Sequence, residues 1–428
     1  MSPVPLRTAM SEEPINDPTY NGPEYANWDD FKAPKSLCVI GVAGFIGSHL
    51  LERLMYNSEY KVIGIDMVGE KIEHLLKPGQ AHSNRLEFHK FDIRKPQYQE
   101  LLEDCITRCD TVINLAAICN PAEYNTRPLD TIDSNFTDAL PVIRICSDQQ
   151  KHYIHFSTCE VYGKTLAGFA EKDTEFRNDP DNYMLREDDT MMILGPIHKQ
   201  RWSYACAKQL VERVIFAEGT QNGLPFTIVR PFNWIGPRMD YIPGVDGPSD
   251  GVPRVLACFS TRLMQGKPLK LVDGGEVERT FVYVKDAVEA VVKMFEQPKR
   301  SIGRVFNVGN PDNEVTVRNL ALLMSDVYSD VTGKAKLAEP TIDIPAVEFY
   351  GPGYDDCDKR VPDNSLIENQ IDWKPTTSLK EALTTTLRWM EATFAEKLNK
   401  TQTSTVATKN VLPSKQQVEQ LEQMSLNA

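Results

Sequence analysis

Gly41-Val42-Ala43-Gly44-Phe45-Ile46-Gly47 follows a short β-branched run, Ser36–Ile40, and leads into an apolar, helix-compatible stretch. Strand, glycine turn and helix in that order mark a dinucleotide-binding loop. Its glycines permit a tight turn and close approach of backbone to a pyrophosphate, which the N-terminus of the following helix would face. Phe45 and Ile46 sit inside that turn. Asp66 closes the next strand-like run, nineteen residues after Gly47. A carboxylate there accepts hydrogen bonds from the adenosine ribose hydroxyls and repels a 2′-phosphate, which favours NAD over NADP. Asp92 and Ile93, after the third run, are placed to meet the adenine. Leu115, Ala116 and Ala117, after Asn114 and the fourth run, let backbone approach the nicotinamide ribose.

Strand-like runs at Lys61–Asp66, Leu86–Asp92, Thr111–Leu115, Tyr153–Ser157 and Phe226–Arg230 alternate with helices expected to begin near Phe45, Asp130, Ser203 and Lys285. This alternation predicts an α/β chain with a Rossmann-like, doubly wound parallel sheet. From residue 231 onward Pro and Gly become denser and the alternation weakens, as expected of a smaller, discontinuous substrate lobe. The expected division is a disordered arm over 1–34 and a NAD-binding domain over 35–230 with 281–310. A sugar-nucleotide lobe over 231–280 with 311–397 and a polar tail over 398–428 complete it; the tail holds a weak amphipathic possibility near Val418–Met424.

The 428 residues, 41% hydrophobic and 25% charged, are those of a globular protein, and the net charge of −13 argues against nucleic acid as the main partner. No stretch approaches the ~18 apolar residues of a membrane span, and no secretory signal is visible. The nine cysteines include no CxxC, which fits reduced thiols in a cytoplasmic protein. Cys38, Cys146 and Cys258 are expected to be inert, and Cys206 to pack. His152 and His155, three apart on a strand, point to opposite faces, so no metal site is expected.

Tyr204 and Lys208 lie one helical turn apart in Trp202-Ser203-Tyr204-Ala205-Cys206-Ala207-Lys208. An ammonium so placed can stabilise a phenolate whose unperturbed pKa is about 10, giving a proton acceptor for alcohol oxidation beside a nicotinamide. With the GxxGxxG loop, the Asn114–Ala117 segment and this pair in order, the chain resembles the extended short-chain dehydrogenase/reductases that act on nucleotide sugars. Phe156-Ser157-Thr158-Cys159-Glu160-Val161-Tyr162-Gly163 is similar to the T-S-E-V-Y-G run of their decarboxylases, with Cys159 in place of Ser. Pro231–Arg238, Asp273-Gly274-Gly275 with Arg279-Thr280-Phe281, and Tyr354–Arg360 match the same group. The run Ile113–Pro128 resembles most closely the plant UDP-apiose/UDP-xylose synthase family, although Asn120 stands where that family usually has Thr. The two polar tails and the Lys164–Met192 stretch also depart from it.

That resemblance implies a cell-wall precursor enzyme, a NAD-dependent UDP-glucuronate decarboxylase working as a cytoplasmic homodimer. Tyr204, Lys208 and Thr158 would serve the carbon-4 hydroxyl, and Arg360 the carboxylate. Glu160 would manage the proton replacing carbon dioxide, and Cys119 and Cys159 the protons of a ring contraction. Tyr124, Asn233, Lys270 and Tyr354 are expected on the substrate side. Arg201 is expected to meet sugar or phosphate, and Arg238, Arg254 and Arg279 the uridine diphosphate, because a planar guanidinium suits phosphate oxygens. The alternatives are a decarboxylase making UDP-xylose alone and a NAD-binding regulator without activity. A 4-epimerase or 4,6-dehydratase does not call for Arg360.

Overall fold

The computed structural model describes residues 31–172, 174–247, 252–350 and 355–409. Its centre is a seven-stranded parallel sheet. In chain order the strands are β1 (Ser36–Ile40), β2 (Lys61–Asp66), β3 (Leu86–Lys90), β4 (Thr111–Asn114), β5 (His152–Phe156), β6 (Phe226–Pro231) and β7 (Arg304–Val308). In space they run β7-β6-β5-β4-β1-β2-β3, so the order reverses between β1 and β4. The sheet is buried on both faces, as the continuous apolar runs require. In β1 alone, Leu37 and Val39 enter one core while Cys38 and Ile40 enter the other.

The first core is closed by α1 (Phe45–Asn57), through Leu50, Leu51 and Leu54, and by α5 (Val284–Glu296). The second is closed by α2 (Gln99–Thr107), α3 (Ala139–Asp148) and α4 (Ser203–Asn222), through Leu102, Val142, Ile143, Val211 and Ile215. The doubly wound sheet is therefore the one expected. Strand limits shift by a residue or two; β3 stops at Lys90 because its pairing with β2 ends at Asp66. The helix expected near Asp130 is divided instead, with Pro128–Ile132 passing through a π turn at Asp133–Thr137 into α3.

Four short strands form the smaller sheet in the order Glu314–Thr316, Glu278–Thr280, Lys359–Pro362, Met184–Leu185. The last comes from the chain between β5 and α4, so one strand of this sheet precedes α4 in sequence. Asn307 of β7 fastens it, its side chain donating to Leu185 O at 2.8 Å while its backbone N–H donates to Glu187 at 2.7 Å. Burial pushes the Glu187 carboxyl up to about 8, against the opposing pull of that amide. A helix over Leu379–Lys409 packs on the helices Val255–Met264 and Val317–Thr332 and runs past residue 398, where a polar tail was expected. Val418–Met424 lies outside the described residues, as does Tyr354.

Candidate active site

The loops after β1 and β4 meet where the strand order reverses, the place at which open α/β sheets bind ligands. Gly41 has φ 83°, and a Cβ on it would lie 2.9 Å from Ala116 N, so only glycine lets these two loops touch. A Cβ on Gly47 would collide with the carbonyls of Gly41 and Val42. α1 begins at Phe45 with no acidic residue in its first turn, leaving its N-terminal dipole to a ligand. Asp66 accepts from Ala43 N at 2.8 Å and from Met67 N at 2.7 Å, bracing the glycine loop. Asp92 is gripped by Arg94 at 2.8 Å through both oxygens, and Ile93 packs on the second core. Arg94, which carries no motif signal, is thus the partner of Asp92. This cradle fits NAD.

Tyr204 is buried on α4 and hydrogen-bonded to Thr158, whose Oγ1 also accepts from Glu160 N at 3.1 Å. Its ring stacks on Tyr124 at 4.8 Å between centroids, 11° from parallel. Burial pushes its hydroxyl well above the ordinary value, Cys119 pushes the same way, and the Thr158 hydrogen bond opposes them. Lys208 Nζ donates to the Phe156 carbonyl at 2.7 Å. Burial lowers the Lys208 ammonium to about 8, while Cys119 and Glu212 oppose the shift. Lys208 is therefore aimed from α4 back at the end of β5, and Cys119, which is exposed, lies within electrostatic reach of both Tyr204 and Lys208.

Beside Thr158 stands a charge cluster. Glu160 receives Arg360 at 2.5 Å on one oxygen and Arg201 at 2.6 Å on the other. Burial pushes its carboxyl up, but the two guanidiniums more than reverse this and hold it at about 2. Glu160 is therefore an ionised carboxylate at neutral pH in the free site. Asp356 faces three arginines, with Arg279 at 2.8 Å, Arg201 at 3.3 Å and Arg360 at 3.7 Å. Arg201 also lies over the Tyr124 ring at 5.7 Å, joining the cluster to the tyrosine stack. Cys159 Sγ is 3.9 Å from Arg360, and burial raises its thiol to about 11 against the pull of that arginine. Asp356 was legible only as part of an acidic run; its partners come from the turn Gln200–Trp202 before α4, the strand Glu278–Thr280 and the nearby strand Lys359–Pro362.

Other expected residues have structural partners. Arg238 is tied to α1, at 3.0 Å from Ser48 Oγ and 2.7 Å from Glu52, which takes it from the diphosphate role proposed for it. Asn233, at φ 38°, donates to Thr280 O at 2.9 Å. Arg254 is held by Asp240 at 3.3 Å but lies within electrostatic reach of Cys119 and Tyr124. Lys270 sits in strand Leu269–Val272, opposite Ile342. Cys206 is exposed and does not pack, because its position on α4 faces away from the sheet. Cys38 and Cys146 are buried, whereas Cys258 is half-buried, its Sγ donating to Pro253 O at 3.1 Å. His152 bonds Thr227 at 2.9 Å and His155 bonds Tyr153 at 3.0 Å, so each imidazole has its own neighbour.

A nucleotide-binding sheet with a Tyr/Lys pair at its carboxyl edge defines a NAD-dependent enzyme of the epimerase/dehydratase class. The model of the NAD dependent epimerase/dehydratase family matches residues 37–309, and the chain belongs to that family. More particularly, it is 57% identical over 375 residues to UDP-D-apiose/UDP-D-xylose synthase 2 of Arabidopsis thaliana, covering 87% of this chain and 96% of that one. The UDP-D-apiose/UDP-D-xylose synthase of Oryza sativa subsp. japonica is 58% identical over 369 residues, covering 86% and 92%. Among solved structures, the PbgP3 protein from Burkholderia pseudomallei superposes with a TM-score of 0.70 at 31% identity, covering 85% of this chain and 98% of that one. A UDP-glucuronic acid 4-epimerase from Bacillus cereus shares the fold, with a TM-score of 0.65 at 23% identity and coverage of 84% and 100%. The resemblance read from the motifs is confirmed by these relatives. Among the described residues no helix is long and apolar enough to cross a membrane.

Proposed function

We propose that this enzyme converts UDP-glucuronate to UDP-apiose and UDP-xylose. The observation that carries the reading is the facing of Tyr204, bonded to Thr158, by an arginine cluster in which Arg360 stands 3.9 Å from the Cys159 thiol. NAD, held by the glycine loop after β1 and by Asp66, would supply hydride acceptance and hydride return at the sugar carbon. Tyr204 takes the carbon-4 hydroxyl proton, Thr158 holds that oxygen, and the Lys208 charge favours the phenolate. The ketone at carbon 4 makes the carbon-5 carboxylate that of a β-keto acid, so its bond to carbon breaks with the electrons entering an enolate. Arg360 orients the carboxylate. Glu160, ionised, holds Arg360 and Arg201 in place. Cys159, protonated at neutral pH, can supply the proton that replaces carbon dioxide.

Reduction at this point yields UDP-xylose. Removal of the carbon-2 hydroxyl proton instead breaks the bond between carbons 2 and 3. Closure of carbon 4 onto carbon 2 then contracts the ring and leaves carbon 3 as an aldehyde, whose reduction gives apiose. Cys119, exposed beside Tyr204 and Lys208, is the thiol placed for this branch. Arg201, Arg254, Arg279 and Tyr124 hold the sugar nucleotide under the lobe formed by residues 231–280 with 311–397. The working unit in this reading is a cytoplasmic homodimer supplying cell-wall precursors. Exposed Leu210 of α4 and exposed Leu129 of the helix packed beside it offer an apolar face for pairing.

The test is incubation with carboxyl-labelled UDP-glucuronate. Labelled carbon dioxide with both apiose and xylose signals by NMR is the expected result. Xylose alone would reduce the protein to a plain decarboxylase, and no label release would leave a NAD-binding regulator.

A further inference from the structure

Cys119 lies in residues 115–120, a stretch with no regular structure between β4 and the short helix Pro121–Thr126. Two anchors flank it. On one side the Ile118 backbone is held, its N–H donating to Ser134 Oγ at 3.2 Å and its carbonyl accepting from Asn135 Nδ2 at 2.8 Å. On the other side the Asn120 side chain is hydrogen-bonded to the Tyr241 hydroxyl, which comes from a distant part of the chain. The thiol is thus suspended between a helix of its own domain and a strap from elsewhere.

That strap is itself over-determined. Arg238 and Asp240 both adopt left-handed backbone, at φ 64° and 54°, a conformation that costs ordinary side chains free energy and needs support. Support comes from Lys71 Nζ, which donates to Arg238 O at 2.8 Å and Asp240 O at 3.4 Å. Arg238 is fastened to α1 through Glu52 at 2.7 Å, and Asp240 accepts from Arg254 N at 2.6 Å. After Tyr241 the chain closes on itself, with Ile242 N donating to Asp246 at 2.6 Å and the Tyr241 ring filling the space in which Gly247 lacks a side chain. A hydroxyl presented from so fixed a frame can set the place of what it binds.

We infer that Tyr241 and Asn120 are positioning residues that fix Cys119 against Tyr204 and Lys208, and so govern the partition between ring contraction and direct reduction. The partition claim rests on the function proposed above; the anchoring claim does not.

The experiment compares Tyr241→Phe, Asn120→Ala and the double variant in the full chain. Cys119 alkylation by iodoacetamide is followed by peptide mass spectrometry, with the exposed Cys206 as internal reference. Each single variant should raise the Cys119 rate by about fivefold, the equivalent of one hydrogen bond of about 1 kcal/mol, and leave Cys206 unchanged. The double variant should add nothing to either single, the signature of one shared interaction. The apiose share should fall while total carbon dioxide release stays within about twofold, because the bond lost sits on the branch and not on the shared steps. Unchanged Cys119 reactivity, additive effects in the double variant, or a parallel rise at Cys206 would overturn the anchor. Raised reactivity with an unaltered product ratio would overturn its control of the partition. If the wild-type chain releases no carbon dioxide at all, the proposed function falls while the alkylation series still decides the anchor.

Discussion

The two ends of the cleft hold buried charge by opposite means. At the redox end one cation, Lys208, is satisfied by a backbone carbonyl and its pKa falls to about 8. At the carboxylate end three arginines, which stay protonated at any physiological pH, are balanced by Glu160 and Asp356. One end can therefore change its charge as ligand and pH change, and the other cannot. The first end holds a cation that titrates near working pH; the second holds fixed charge, its own carboxylates keeping the guanidiniums in shape.

The largest effect expected from this contrast is at Tyr204. Tyr204→Phe keeps the stack on Tyr124 but removes the proton acceptor, so turnover of UDP-glucuronate should fall by about a thousandfold with an unchanged circular dichroism spectrum. Retention of a tenth of the activity would mean that another group takes the proton. Next comes Arg360→Lys, which keeps the charge and loses the two-pronged geometry. Its kcat/KM for UDP-glucuronate should drop by roughly 10–100-fold, in line with charged hydrogen bonds of about 1.5–3 kcal/mol, while calorimetric affinity for UDP is preserved. A matching loss in UDP affinity would place Arg360 on the diphosphate.

A subtler test uses pH. In the free site Lys208 loses its charge as pH rises through about 8, so kcat/KM should decline above that point. Glu160, held at about 2, contributes no change between pH 5 and 9. Lys208→Arg should move the alkaline decline upward at reduced rate; an unmoved decline would assign it elsewhere. The smallest effect lies outside the cleft, at Glu187. Its folded-state pKa is raised to about 8, so its stabilising contribution is complete below its ordinary value and lost as pH rises through 8. Glu187→Gln should therefore lose fewer degrees of Tm between pH 6.5 and 9 than the wild type, by scanning calorimetry. Equal losses would show that a glutamate lacking close arginine pairs behaves like Glu160 after all.

What was legible in the sequence was local. The glycine loop, the strand runs and the Tyr204/Lys208 pair each owe their meaning to residues within a few positions of one another, and the parallel, doubly wound sheet follows from their alternation. The pairing of Glu160 with Arg201 and Arg360 needed the fold, since the three come from a turn after β5, the entry to α4 and a lobe strand. Arg238 misled for the same reason: a guanidinium near a glycine-rich segment suits phosphate as well as it suits Glu52, and only packing against α1 decides. Cys206 had the spacing of a packing residue, but the helix turns it to solvent. Asp356 carried no signal beyond its neighbours' charge.

The strand Met184–Leu185 has a consequence for anyone recombining these enzymes. It lies on the lobe sheet against Lys359–Pro362, yet the chain reaches it before α4. A lobe transplanted from a relative as the segment after residue 230 would arrive with its edge unfilled, and the host would keep a strand with no sheet to join. Any workable chimera must carry residues 184–185 with the graft, so the crossover points sit inside the stretch leading to Tyr204, and product specificity and catalytic helix are inherited together.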